Sequence, residues 1–137
     1  MALGVMTFLS ATLAAAVTDD VTAGVKVPAI DRVESLTLHA TFVRAGGGTT
    51  AKAWVQTTLD GGVTWVDIAN FAFTTTTANR AYHLTAAAVT SIATPTDGTL
   101  ADNTSVNGLL GDRFRVKLTT TGTYTGASSF TIHAIPK

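Results

Sequence analysis

Three stretches of this chain alternate apolar and polar residues with a period of two, and that period commits it to β-structure. In residues 35–43, Leu36, Leu38, Ala40 and Phe42 fall on one side, with Thr37, His39 and Thr41 on the other. Residues 112–120 repeat the pattern with Phe114, Val116 and Leu118 against Arg113, Arg115 and Lys117. Residues 129–135 do so again, with Phe130, Ile132 and Ala134 on one face. Successive side chains of a strand point to opposite faces, so these segments predict half-buried strands. The 27 threonines agree with this, including the runs 74–77 and 119–121. A branched β-carbon fits a pleated surface, and the hydroxyl suits its wet side. Residues that solubilise helices are scarce, and Glu34 is the only glutamate.

The remaining segments fit the same scheme. Residues 49–58 predict a strand around Trp54 and Val55, entered from the flexible turn Gly46-Gly47-Gly48. Asp60-Gly61-Gly62 leads into a strand at 64–73, where Trp65, Phe71 and Phe73 share one parity and Val66 and Ile68 the other. Both faces of that strand are therefore expected to be covered. Residues 80–89 predict a further strand, with Ala86-Ala87-Ala88 the one place where a helical turn could intrude. Residues 94–111 carry Pro95, Asp97-Gly98, Asp102-Asn103 and Asn107-Gly108, and predict a long loop with at most a short strand at its centre. Gly122 and Gly126 flank a turn, and Pro136 ends the last strand. The expected fold is an all-β antiparallel sandwich, jelly-roll-like, with seven or eight strands in a single domain.

A chain of 137 residues fits one such domain and buries about two-thirds of its unfolded surface without disulfide or metal support. With no cysteine, thiol catalysis and Cys-ligated zinc are excluded. The net charge is zero and 13% of residues are charged, against about 25% in an ordinary globular domain. Neither the basic field needed for nucleic acid nor a polybasic membrane patch is expected. Low charge also protects a lone monomer poorly against association.

Residues 2–17 are mostly apolar and end in Leu13-Ala14-Ala15-Ala16-Val17, like the core and exit of a signal peptide. No lysine or arginine precedes Lys26, so the positive n-region of such a peptide is missing. The stretch is short for a membrane span and is broken by Thr7, Ser10 and Thr12. The expectation is an apolar arm over residues 1–20 that lies against the domain or a neighbouring subunit, followed by the sandwich domain over 21–137. Phe8, Leu9 and Leu13 are its candidate contacts with a neighbouring subunit.

Candidate sites reduce to local structure. Thr58, Asp60, Gly62, Thr64 and Trp65 match the Asp-box pattern Ser/Thr-x-Asp-x-Gly-x-Thr-Trp, a stapled hairpin turn. There the carboxylate accepts turn hydrogen bonds, Gly62 supplies a positive φ and Trp65 packs under the loop. Such turns occur in sugar-handling proteins without being the active site, and a single copy argues against a propeller. His39, His83 and His133 lie in separate strands at polar positions, a poor start for converging metal ligands, and no metal or cofactor is expected. Asp60, Asp97, Asp102 and Asp112 sit in turns, where Asp bonds local backbone, while Asp19, Asp20, Asp31 and Glu34 lie in connecting segments. Arg113, Arg115 and Lys117 form a basic stripe, read as a solvated face or as one side of an intersubunit contact with Asp partners.

Several segments taken together carry a resemblance. Thr7-Phe8-Leu9-Ser10-Ala11-Thr12-Leu13, Gly47-Gly48-Thr49, Trp54-Val55-Gln56-Thr57, Asp60-Gly61-Gly62-Val63-Thr64-Trp65 and Gly111-Asp112-Arg113-Phe114-Arg115-Val116-Lys117 resemble a family of small tailed-phage and prophage virion structural proteins. The resemblance runs from residue 7 to about residue 134. It implies a β-sandwich particle component without enzymatic activity, assembled in the host cytoplasm, with no catalytic residues to carry over. A capsid decoration (minor capsid) protein is the first placement it implies, bound to the major capsid protein or other virion proteins. A head–tail connector or tail component is the second. A homo-oligomer is expected, a trimer if it sits on local three-fold positions. The residues leave other readings open. A carbohydrate-binding module would stack sugars on Trp54, Trp65, Tyr82 or Tyr124, a small hydrolase would need convergent titratable groups in a pocket, and a secreted surface protein would be cleaved near Ala16.

Overall fold

The computed structural model describes residues 4–28, 33–87 and 91–137. The chain forms only strands and loops there, in the order β1 (Met6–Thr12), β2 (Asp20–Val21), β3 (Val25–Lys26), β4 (Ser35–Val43), β5 (Gly46–Gly47), β6 (Thr50–Thr57), β7 (Val66–Phe73), β8 (Ala78–Thr85), β9 (Arg113–Thr121), β10 (Tyr124–Thr125) and β11 (Ser129–Pro136). Seven of these have seven residues or more, and they build the sandwich. One sheet runs β1-β11-β4-β8. The other runs β2-β9-β6-β7, with β3 beside β2 on the same edge of β9. Every pairing is antiparallel. The fold is the all-β antiparallel sandwich that the alternation predicts.

The inward residues of the alternating segments meet between the sheets. Leu36, Leu38, Ala40 and Phe42 of β4, and Phe130, Ile132 and Ala134 of β11, face Ala51, Ala53 and Val55 of β6 and Phe114, Val116 and Leu118 of β9. An aromatic cluster closes one end of this core. Phe42 stacks on Phe73 with centroids 5.1 Å apart, and Phe130 meets both rings edge-on at 6.0 and 5.3 Å. Such pairs add about 1 kcal/mol each beyond area burial.

Of the two placements expected for the N-terminal stretch, the structure shows the one against its own domain, and it corrects the form and the subunit contacts. Within the described part of residues 1–20 there is an edge strand, β1, rather than an arm, and Met1 to Leu3 lie outside the described residues. Phe8, Leu9 and Leu13, offered as subunit contacts, are 3–5% exposed inside their own domain. A bulge at Phe8 between the Thr7 and Leu9 pairings turns its ring inward onto Phe114, at 5.4 Å. One extra residue in the ladder lets both Phe8 and Leu9 reach the core, a placement that strict alternation forbids.

Smaller differences have local causes. Gly46–Gly47, expected to be a loose turn, pairs as β5 with β10. The ring of Tyr124 lies so close to Gly48 (φ +71°) that a β-carbon there would enter it. The strand expected at 80–89 is β8, Ala78–Thr85, and the possible helical turn lies partly outside the described residues, as do Val89 and Asp31. The long loop contributes a single bridge, Ala69 to Ser105, instead of a short strand.

Truncating the Phe8 ring separates a strand from an arm. Phe8→Ala is expected to destabilise the fold by about 3–5 kcal/mol in urea unfolding, the cost of a buried aromatic cavity. A change under about 0.5 kcal/mol, the level of a surface substitution, would contradict the core placement.

Candidate functional site

Asp60, Asp97, Arg113, Arg115 and Lys117, all singled out above, converge on the outer face of the five-stranded sheet, beside the turn between β6 and β7. That turn is the hairpin the motif predicts. Gly61 and Gly62 take φ values of +75° and +99°, a region that costs other residues free energy. Thr58 Oγ1 donates to Asp60 Oδ1 at 2.9 Å and accepts the Gly62 amide at 2.8 Å. Asp60 in turn accepts the Thr64 amide at 2.8 Å and the Thr64 hydroxyl at 2.6 Å. These bonds, from Thr64 foremost, hold the Asp60 carboxyl below the ordinary carboxylate range.

Trp65 does not share the core side with Phe71 and Phe73. A second bulge, where Val55 pairs with Ala69 but Gln56 with Asp67, inserts Ile68 and reverses the parity of everything before it. Trp65 is left on the outer side, half-buried, under the Arg115 guanidinium at 4.7 Å and close to Gly24. The same bulge swings Asp67 outward, where it is 1% exposed beneath the long loop.

Asp67 is the centre of the arrangement, and sequence reading did not single it out. Its carboxylate accepts the Gln56 amide at 2.8 Å, the Thr96 hydroxyl at 2.8 Å, and the backbone amides of Gly98, Thr99 and Leu100 at 2.8–3.1 Å. The Asp67 amide donates back to the Thr96 carbonyl. Gln56 also donates to Asp97 at 2.6 Å and accepts from Arg115 at 2.8 Å. Lys117 reaches Asp97 at 2.7 Å, and this bond first of all lowers the Asp97 carboxyl below the ordinary range. A signal was available: one Asp inside Trp65-Val66-Asp67-Ile68-Ala69 must be paired or solvated.

The basic stripe is therefore engaged within its own chain. Arg113 donates to the Gly61 carbonyl at 3.3 Å, Arg115 covers Trp65 and holds Gln56, and Lys117 pairs with Asp97. The acidic partner expected on a neighbour is on this chain's own loop. No family model, curated protein or solved structure matches the chain.

The candidate stacking aromatics are also occupied. Trp54 is 8% exposed and donates to the Leu100 carbonyl at 3.0 Å. Tyr82 packs on Phe71 and donates to the Asn70 carbonyl, and Tyr124 is buried against Phe42. Asn70 accepts the Asn103 amide, and its Nδ2 is the one buried side-chain polar atom among the described residues without a partner.

The histidines gather where sequence spacing gave no sign of it. All lie on the outer face of the four-stranded sheet, His39 directly opposite His133, and His83 opposite Thr37. His83 Nδ1 is 3.2 Å from Thr37 Oγ1, and His133 Nδ1 is 3.4 Å from Thr7 Oγ1. Among the described residues no group of three or more His, Asp or Glu could hold a metal ion.

Two outcomes follow from this geometry. Asp67→Asn exchanges a charged acceptor for a neutral amide facing three backbone donors, and should cost about 3 kcal/mol. Limited proteolysis should then cut within residues 96–104, and a loop that stays protected would contradict its role as anchor. The second outcome concerns acid. Asp60 and Asp97 titrate lower in the folded chain than unfolded, so their stabilisation is present above about pH 4 and is lost as pH falls through their folded values. Both are exposed, so the effect is small. Thermal melts of Asp97→Asn should show a shallower acid limb than the parent, and superimposable limbs would refute the assignment.

Proposed function

We propose that this chain is a non-enzymatic structural protein of a tailed-phage particle, a capsid decoration or minor capsid subunit that packs on the head and stabilises it. The reading rests on the resemblance carried by Thr7 to Leu13, Trp54 to Thr57, Asp60 to Trp65 and Gly111 to Lys117. The observation that best supports it is the outer face of the four-stranded sheet. Threonine, serine and histidine dominate there, and Val43 and Ile135 stand 38% exposed. Among the described residues, the strand positions of that face carry no carboxylate, lysine or arginine. A neutral face desolvates at low cost, because no charge has to leave water when a neighbour covers it.

The opposite outer face supports the same reading differently. Lys117 and Trp54 are bound by the long loop and Trp65 lies under Arg115, which leaves these aromatics unavailable for stacking on sugars. This weighs against a carbohydrate-binding module. Placement at the head–tail joint or in the tail is the alternative to the head surface.

Quantitative mass spectrometry of separated heads and tails, from particles of the phage encoding the chain, tests the proposal. Recovery with heads supports decoration, and recovery with tails supports the alternative. A chain found only outside particles overturns both. At the neutral face, Thr131→Glu should weaken retention on heads by about tenfold or more, the equivalent of roughly 1.4 kcal/mol, because it buries an unpaired charge.

A further inference from the structure

Most of the long edge strands are closed to further pairing. Along β7 the Asp67 and Asn70 amides donate to Thr96 and Thr104, the Ala72 amide donates to Asn103 Oδ1, and Ile68 accepts the Val106 amide. The edge of β9 is taken by β2 and β3. At β8, Asn107 and Gly108 latch Thr85, and Arg80 adds a charge beside the edge. Charge and covering loops are the usual defences of a sheet edge against another strand.

Among the described residues, the β1 edge has neither. Its bulge lies at Phe8, and from Leu9 to Thr12 the pairing with β11 is regular. The Leu13 amide donates to the Ser128 carbonyl on the β11 side. By the alternation of an antiparallel ladder, Leu9 and Ala11 also face β11, and the backbone groups of Ser10 and Thr12 point away from the sheet. No charged side chain occurs before Asp19.

We propose that two copies of this chain pair edge to edge through β1, antiparallel about a two-fold axis at Ala11. Ser10 of each copy then exchanges two backbone hydrogen bonds with Thr12 of the other. The two Ala11 residues form the close, non-bonded pair on the axis, where Cα atoms approach to about 4.5 Å and a small side chain is needed. Ser10 and Thr12 are both exposed on the outer side and bring hydroxyls together there, while Leu9 and Leu13 stay on the inner side. The two four-stranded sheets become one continuous sheet with a neutral outer face.

Three observations select a second copy as the occupant. The strand is uncharged, so an identical strand meets no repulsion. Its outward groups fall symmetrically about a small residue, as an isologous contact requires. The β8 edge instead carries Arg80, so two copies pairing there would bring like charges to one seam. The inference stands whether or not the chain belongs to a phage particle, and its symmetry is two-fold where the resemblance implied three-fold.

Light scattering coupled to size exclusion, over a range of loading concentrations, tests it on the intact chain. The expected mass is twice 14.1 kDa at high loading. A mass of one or of three chains at every loading overturns the proposal. Ser10→Pro removes an outward amide only, a place where an edge strand tolerates proline. That variant should keep its β-sheet circular dichroism and run as a monomer, and a folded dimeric variant overturns the proposal. Hydrogen exchange on the unsubstituted chain gives a reading independent of the variant's folding. The amides of Ser10 and Thr12 should exchange at least tenfold more slowly at high concentration than on dilution, and equal rates overturn the pairing.

Discussion

One inserted residue in β7 decides how half of this molecule is finished. The bulge at Ile68 turns Asp67 out of the sandwich, and a carboxylate there must find donors or water. It finds a loop. Three consecutive backbone amides, a hydroxyl and the Gln56 side chain converge on it. Hydrogen bonds to a charged acceptor are about twice as strong as neutral ones, which is enough to organise a segment with little apolar burial of its own. Residues 94–111 can then lie along the β7 edge, shield Trp54 and present Asp97 to Lys117. Without the bulge, Asp67 would point between the sheets and the loop would lose its anchor.

The two outer faces consequently differ in kind. The five-stranded sheet uses its charges internally, in a chain that runs from Lys117 through Asp97 and Gln56 to Arg115 and Trp65. The four-stranded sheet keeps a plain surface of hydroxyls and imidazoles over an apolar core. A face with few charges imposes little desolvation cost on a partner, whereas the looped face has spent its polar groups already. On the proposed reading the first face meets neighbours and the second gives the subunit its stiffness.

Alternation made much of this legible. The inward residues of β4, β9 and β11 can be read from the sequence, because a period of two has one structural meaning over eight or nine residues. The hairpin at Asp60 was equally plain, since its motif names its own hydrogen bonds. Misreadings cluster at the two bulges. Parity groups Trp65 with Phe71 and Phe73, and strict alternation would put Phe8 and Leu9 on opposite faces; one extra residue undoes each relation. A bulge leaves no reliable mark in a single sequence, because it depends on what the partner strand offers. The gathering of His39, His83 and His133 on one face was hidden for a related reason: strand order in a sheet is not strand order in the chain.

Residues 6–13 show how a correct composition can mislead about placement. An apolar, uncharged segment does suggest a role between subunits, yet its large side chains gain more from the core they can reach at once. Burying Phe8 and Leu9 is worth roughly 2–3 kcal/mol each, and no partner need be present. What the core cannot satisfy is the backbone on the far side of the strand. Each outward amide and carbonyl stays in water until another strand arrives, and the lack of charge that suited the segment to burial also leaves that edge undefended. The same composition thus acts twice, through side chains inside the domain and through backbone at its rim.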